Sequence, residues 1–585
     1  MNTAHKRVAR LLVPLAVVAG CAVPTAAQGP APATAPAAEA SRPARMVARN
    51  DDRLIVMGIL AAEFSLQNGD IATAAATYYE VAKRSRDAKV AERAVELLLR
   101  ARRMDDAREI ASLWQASEDA TPRAHLVALA LSLNGEQPDR AAAERALDRI
   151  SGLPDDLRRT AIMDAARQFA QLRDRDLAVA LATRWTEARN NEPEAFYALA
   201  AATTGTQNAR LNEALLAIDR ALVLRPRWPQ AIAVKSRILL ARNTAKDKAA
   251  AVELLTEASR ASPETRELRV LLARTLFDLE RFAEARALFL TLAESHADDA
   301  NESRLAASVA AYYAQDWPTA EREFQDALAA GRGDPSAIRF YLARVAEAQK
   351  RWSDAAARFA QVTSGERVWE AQLRLANALA QDKRLLQAVS HLQGLKPGTV
   401  GERISLAQAE AGLWRDAGEL DKALAVLDRA LATDQDDPDL LYEGAMIAER
   451  MERFDDAEKR LRRVIVLQPA RAHAYNALGY SFADRNIHLD EARTLIERAH
   501  GLAADDPAIL DSMGWIAFRQ GRIDDALHFL RQAFEKFKDG EIAAHLGEVL
   551  WVAGRRDEAR SVWQTQLKAQ PDSDILKKTM SRLDR

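Results

Sequence analysis

Near the carboxyl end of the chain, small residues recur at an interval that few folds can use. The segments NALGYSFADRNIHLDEARTLIERA (476–499), DSMGWIAFRQGRIDDALHFLRQA (511–533) and HLGEVLWVAGRRDEARSVW (545–563) each hold a glycine, namely Gly479, Gly514 and Gly547. Twelve or thirteen residues later each holds an alanine: Ala492, Ala526 and Ala559, which are 34 and then 33 residues apart. Two antiparallel helices approach closely only where both present small side chains, so each segment predicts a helical hairpin. Apolar residues flank the crossing, as Leu510 and Met513 do before Gly514, and Leu530 and Ala533 after Ala526. One such hairpin leaves an apolar face open, and only stacking on neighbours covers it.

Upstream, an alanine with an apolar residue four positions later recurs at Ala74, Ala214, Ala251, Ala285, Ala320, Ala355, Ala388, Ala423 and Ala457. Ala107 and Ala143 also fit, whereas Ala178 fits poorly. From Ala74 to Ala559 the chain takes fourteen steps over 485 residues, about 34.6 each. That period and the L-G-x2-Y…A-x3-F…P pattern resemble the tetratricopeptide repeat. The fold expected is all-α: an α-solenoid, one right-handed superhelix of about fifteen helical hairpins over residues 51–585.

Punctuation agrees with this register. Pro226, Pro263, Pro469 and Pro571 each lie twelve residues after their alanine, where proline ends a second helix. Gly69, Gly418, Gly521 and Gly554 fall in the turn between helices, where a left-handed residue is wanted. The pattern is weakest between about 115 and 195, and longer loops are expected at 331–335 and 396–402.

The amino terminus reads differently. His5, Lys6, Arg7 and Arg10 precede the apolar core Leu11–Val18, which is too short to span a bilayer. Residues 1–20 are therefore expected to be a signal peptide. Val18-Ala19-Gly20-Cys21 resembles the bacterial lipobox, which implies cleavage before Cys21 and acylation of its thiol. Cys21 is the only cysteine, and an unmodified lone thiol is a liability in an oxidising compartment. Ala22 in the next position implies, by the same resemblance, sorting to the outer membrane. Residues 21–50 are rich in alanine and proline, lack apolar periodicity, and predict a disordered tether.

Catalytic motifs are hard to find. With 82 basic and 84 acidic residues the chain is nearly neutral, so nucleic acid is not an expected partner. The nine histidines include no H-E-x-x-H. His545 and Glu548 lie one helical turn apart, but no third ligand is near them, and they read as a solvated helix face. GRGDP (331–335) lacks the lysine and hydroxyl of a phosphate loop, and Asp434–Asp439 reads as a connection between repeats. No cofactor, metal or small-molecule substrate is expected, and no enzyme.

Function is then expected on the concave surface, at first-helix positions 2, 5, 9 and 12 of each repeat. In the last repeats these are His473, Asn476 and Tyr480, then Asp511, Trp515 and Phe518, then Glu548 and Trp551. Aromatic rings beside acid and amide groups suit a peptide groove. Trp515 and Trp551 fit equally well as packing between neighbouring repeats. Phe534 and Phe537, late in a second helix, read as core.

The segments LGYSFADR (478–485), DDPAILDSMGWIAFRQGR (505–522) and EIAAHLGEVLWVAGRRDEA (541–559) also resemble the outer-membrane tetratricopeptide lipoproteins of proteobacteria. These are similar to the lipoprotein that activates a periplasmic carboxyl-terminal processing protease against cell-wall hydrolases. The resemblance implies a lipid-anchored adaptor on the periplasmic face of the outer membrane, with that protease and those hydrolases as partners. A scaffold for pilus assembly or polysaccharide export uses the same fold and stands as the alternative.

Overall fold

A computed structural model describes residues 49–583 except 135–137, 173, 205–209 and 296–299. The signal peptide expected at 1–20, Cys21 and the tether as far as residue 48 lie outside the described residues. The first helix, Arg49–Gln67, takes the last two residues expected in that tether.

Among the described residues there are 31 α-helices and no strand. The chain divides into two compact units, up to Gln315 and from Asp316 onward. The first holds seven hairpins, from Arg49–Gln67 with Ile71–Ser85 to Arg266–Asp278 with Phe282–Ser295, and then the helix Ala300–Tyr313. The second begins with Trp317–Ala329 and holds seven more hairpins, from Pro335–Ala348 with Trp352–Phe359 to Gly540–Val552 with Arg556–Ala569. The short helix Asp574–Leu583 closes it.

All fifteen periodic alanines fall in second helices, each with at most 1% of its surface exposed. Their partners in the last repeats are the three glycines. A Cβ on Gly514 would lie 2.5 Å from Leu530 Cγ and 3.1 Å from the carbonyl oxygen of Ala526. A Cβ on Gly547 would lie 1.9 Å from Trp563 Nε1, because the indole fills the crossing itself. Ala178 belongs to the series as well. Its residue four positions on is the small Ala182, and the space is filled instead by Trp185, whose ring meets Phe169 edge-on at 6.5 Å. The divergent stretch 115–195 is thus built from ordinary hairpins, with the bulk moved to a different position.

The turn glycines Gly69, Gly418, Gly521 and Gly554 all have φ between 78° and 81°. Elsewhere the same turn position, five residues before the alanine, is left-handed without glycine, as at Arg102, Glu280, Lys350, Lys383 and Glu452. Second helices end before the expected prolines, and new helices start on capped ones: Asp334, Asp437 and Asp506 accept backbone N–H bonds ahead of Pro335, Pro438 and Pro507. The connection expected at 434–439 ends at Asp437, and Pro438 and Asp439 already open the next helix. The loop expected at 396–402 stops at Thr399, whose side chain and Glu402 form a capping box for the helix Val400–Asp416. Phe534 packs against the core, but Phe537 is 56% exposed at the helix end, a correction to its expected place. A second helix offers its inward stripe only while it lasts, and Phe537 lies one residue beyond.

Replacing Gly547 with alanine should destabilise the fold by about 1–3 kcal/mol, as for an overpacked crossing, read as a lower urea midpoint of unfolding. Gly501→Ala, in a helix with open space around the new methyl, should leave that midpoint unchanged or raise it slightly. Equal effects of the two changes would show that the crossing is not tightly packed.

Candidate protein-binding surface

Three adjoining first helices, Ala472–Asp484, Pro507–Arg519 and Gly540–Val552, carry the eight predicted surface residues. The structure draws several of them inward. Asp511 and Trp515 are each 5% exposed and Glu548 is 7% exposed, so none of the three lines an open wall. Asp511 accepts from His545 Nδ1 at 2.9 Å, and the His545 imidazole stacks on Trp515 at 4.1 Å with the planes 20° apart. Tyr480 Oη donates to Glu541 Oε1 at 2.8 Å, across two repeats, and lies 3.5 Å from His545 Nε2. Five side chains from three consecutive repeats therefore form one polar and aromatic knot.

His545 and Glu548 do not form a solvated helix face, as their spacing suggested. His545 is 4% exposed, and Glu548 is bonded to Arg582 on the closing helix Asp574–Leu583. Both are consumed by contacts with the helix next but one in the chain, which spacing within one helix cannot show. No group of three or more metal-ligating side chains occurs among the described residues.

Burial pulls the imidazole of His545 toward its neutral form, yet the carboxylates of Asp511, Glu541 and Asp484 outweigh it and raise its pKa. Burial, together with Glu541, pushes the Tyr480 phenol well above its usual range, so it remains a donor.

The other predicted residues keep open surface. The His473 side chain is 57% exposed, with Asp506 at 3.8 Å. Asn476, Tyr480 and Phe518 are half-buried. Trp551 is half-buried too, stacked on Trp563 at 5.8 Å, with the guanidinium groups of Arg556 and Arg560 over its ring. Both tryptophans therefore pack between helices, and Trp551 still presents an edge.

Sequence reasoning missed a depression one repeat upstream. Gln408, Arg415, Asp439, Tyr442, Glu443, Met446 and Arg471 line an open hollow of about 290 Å³. Arg471 lies 4.5 Å over the Tyr442 ring and bonds Asp439 at 2.8 Å, while Arg415 reaches Glu443 at 3.3 Å. Burial raises the Glu443 carboxyl and the Tyr442 phenol, against the nearby arginines. Repeat counting would have found this hollow. Gln408 and Arg415 lie three before and four after the crossing Ala411, and Asp439, Tyr442 and Met446 keep the same register to Ala445. The crossing there is Ala445, fully buried, and not Gly444, whose missing Cβ would meet the Arg460 side chain.

Sequence models of the tetratricopeptide repeat match residues 244–309, 415–479, 305–364 and 512–574. Those stretches are tetratricopeptide repeats, and the hairpins described above are of that kind. It is 38% identical over 247 residues to the "TPR repeat-containing protein PA4667" of Pseudomonas aeruginosa, a match covering 42% of each chain. It is 34% identical over 134 residues to "cytochrome c-type biogenesis protein CycH" of Bradyrhizobium diazoefficiens, covering 22% of this chain and 36% of that one. The chain thus spans less than half the length of these curated relatives. Among solved structures it is similar to yeast Tom70 (15% identity, TM-score 0.36, 74% of this chain and 96% of that one). It is similar also to the hetero-tetramer Cut9-Hcn1 (14% identity, TM-score 0.29, 86% and 96%). The repeat array is a scaffold for interactions with other proteins.

The charge on His545 fixes a pH dependence. Because its pKa is raised above the 6.5 of a free imidazole, its contribution to stability is full below about pH 6.5 and is lost as pH rises through the folded value. Unfolding midpoints measured across that range should fall with pH in the parent chain and stay flat in His545→Gln. Asp511→Asn, which strands a buried cation, should destabilise by about 3–5 kcal/mol at low pH. A pH slope that survives in His545→Gln would assign it to other groups.

Proposed function

We propose that this protein is a lipid-anchored adaptor on the periplasmic face of the outer membrane, which presents cell-wall hydrolases to a carboxyl-terminal processing protease. The carrying observation is the first-helix surface of the second unit. The Gln408–Arg471 hollow and the partly open His473, Asn476, Tyr480, Phe518 and Trp551 follow one another on consecutive repeats. Such a surface meets a protein or extended peptide through many modest contacts. Tethering on a membrane then matters more than the affinity of any one contact. The lipobox at Cys21, the proline-rich segment and the motifs of 478–559 support the anchor and the partner class.

A scaffold for an envelope assembly machine is the second reading. It draws on the partial likeness to a protein named for cytochrome c biogenesis.

Affinity capture by the chain from residue 22 onward, with periplasmic extract and mass spectrometry, tests the partner. Recovery of a processing protease together with cell-wall hydrolases supports the adaptor. Tyr442→Ala with Arg471→Ala should then reduce that recovery about tenfold or more, since buried aromatic and arginine anchors carry most binding energy. Recovery of assembly components without a protease would favour the scaffold.

The anchor has its own test. Cys21→Ala should leave the protein unacylated and absent from the outer-membrane fraction. An unacylated variant that still fractionates with the outer membrane would remove the lipobox as the cause.

A further inference from the structure

The two ends of the array are finished differently. At the carboxyl end, Asp574–Leu583 buries Leu576 and Thr579 and turns Lys577, Lys578, Ser581 and Arg582 outward. Terminal repeats need such a polar outer face. The first helix, Arg49–Gln67, does the opposite. Its inner side is held by Gly58 and Ala62 against the helix Ile71–Ser85, and Glu63 accepts a 2.7 Å bond from Tyr78. Its outer side carries Leu54, Val56, Met57, Leu60 and Phe64, each 54–68% exposed. These lie at helical spacing with no charged residue on that face between Arg53 and Gln67. Elsewhere among the described residues the exposed large apolar side chains stand singly or at most in a pair on one helix face, as Leu216 and Val223 do on Leu211–Leu224.

We infer that this stripe docks on an anionic lipid surface. Three observations select that occupant. The preceding residues 22–48 contain just three large apolar side chains, Val23, Met46 and Val47, too few to cover five. A second copy is a poor fit, because the stripe offers on the order of 500 Å² and a stable interface needs about 800 Å² from each partner. Charge points to a membrane: Arg42, Arg45, Arg49 and Arg53 lead into the stripe against Glu39, Asp51 and Asp52. An apolar helix face flanked by arginine is the composition that seats a helix among acidic headgroups. The inference takes nearness to a membrane from the proposed function, but it needs no acyl chain. The stripe would hold the first repeat against the bilayer.

The test uses residues 22–585, which keep every described helix and lack Cys21, so its outcome is independent of acylation. Flotation with phosphatidylglycerol-containing vesicles is compared with flotation on pure phosphatidylcholine, for the parent chain and for Met57→Asp, Leu60→Asp, Phe64→Asp combined. Circular dichroism checks that the variant keeps its helix content. The parent should float with the anionic vesicles at least tenfold more than the variant, and less as salt rises. Equal flotation of parent and variant, or none by either, would overturn the proposal. Stripe-dependent dimerisation in sedimentation, or stripe-dependent capture of a protein without vesicle binding, would assign the face to that partner instead.

Discussion

The structure depends on the close crossing of two helices at small residues, repeated with little variation. Where glycine faces alanine, the backbones approach until Leu530 or Trp563 fills the groove beside them. A fully buried side chain of that size contributes about 1.5–3 kcal/mol or more through area alone. The approach needs one small residue on each helix and fixes the register of everything between. Turn geometry, proline placement and the alternation of buried and open first-helix positions follow from it.

The crossing also decides how polar residues behave. Each first helix has one side against its own partner helix and another against the next repeat, so its polar residues are either open or trapped. In the last three repeats His473 and Glu541 stay open, whereas Asp511, His545 and Glu548 are trapped. Asp511, His545, Tyr480 and Glu541 bond one another across repeat boundaries, with Trp515 stacked among them. A buried ionic pair adds little net stability over an apolar substitute. Its consequence is geometric: shifting one repeat past the next would break a bond to a buried charge. The knot therefore locks the curvature of this end, and the Arg582 bond to Glu548 closes it.

Much of the fold was legible because the crossing is a local rule. The fifteen alanines could be counted from residue spacing, and even Ala178, whose neighbours depart from the pattern, obeyed it. The site was less legible because spacing gives the face of a helix and not its distance from the next repeat. Trp515 and Glu548 lie on the expected face and are buried nonetheless, since the array curves enough for Tyr480 to reach Glu541 two repeats away. The hollow around Tyr442 follows the period counted from the fully buried Ala445, but that it stays open is again a matter of distance between repeats, which spacing does not give.

Recognition is displaced accordingly. The strongest aromatic signal in the sequence marks where repeats grip one another, and a residue spent on that grip is unavailable to a partner. The open hollow instead offers arginines already held in place: Arg471 by Asp439, Gln468, the Pro438 carbonyl and the Tyr442 ring, Arg415 by Asp416 and Glu443. A guanidinium already positioned by a carboxylate loses little freedom when it takes a second acceptor. Binding groups of this kind sit where packing between repeats is loosest, so the selectivity of such a protein is written in the residues its period leaves unconstrained.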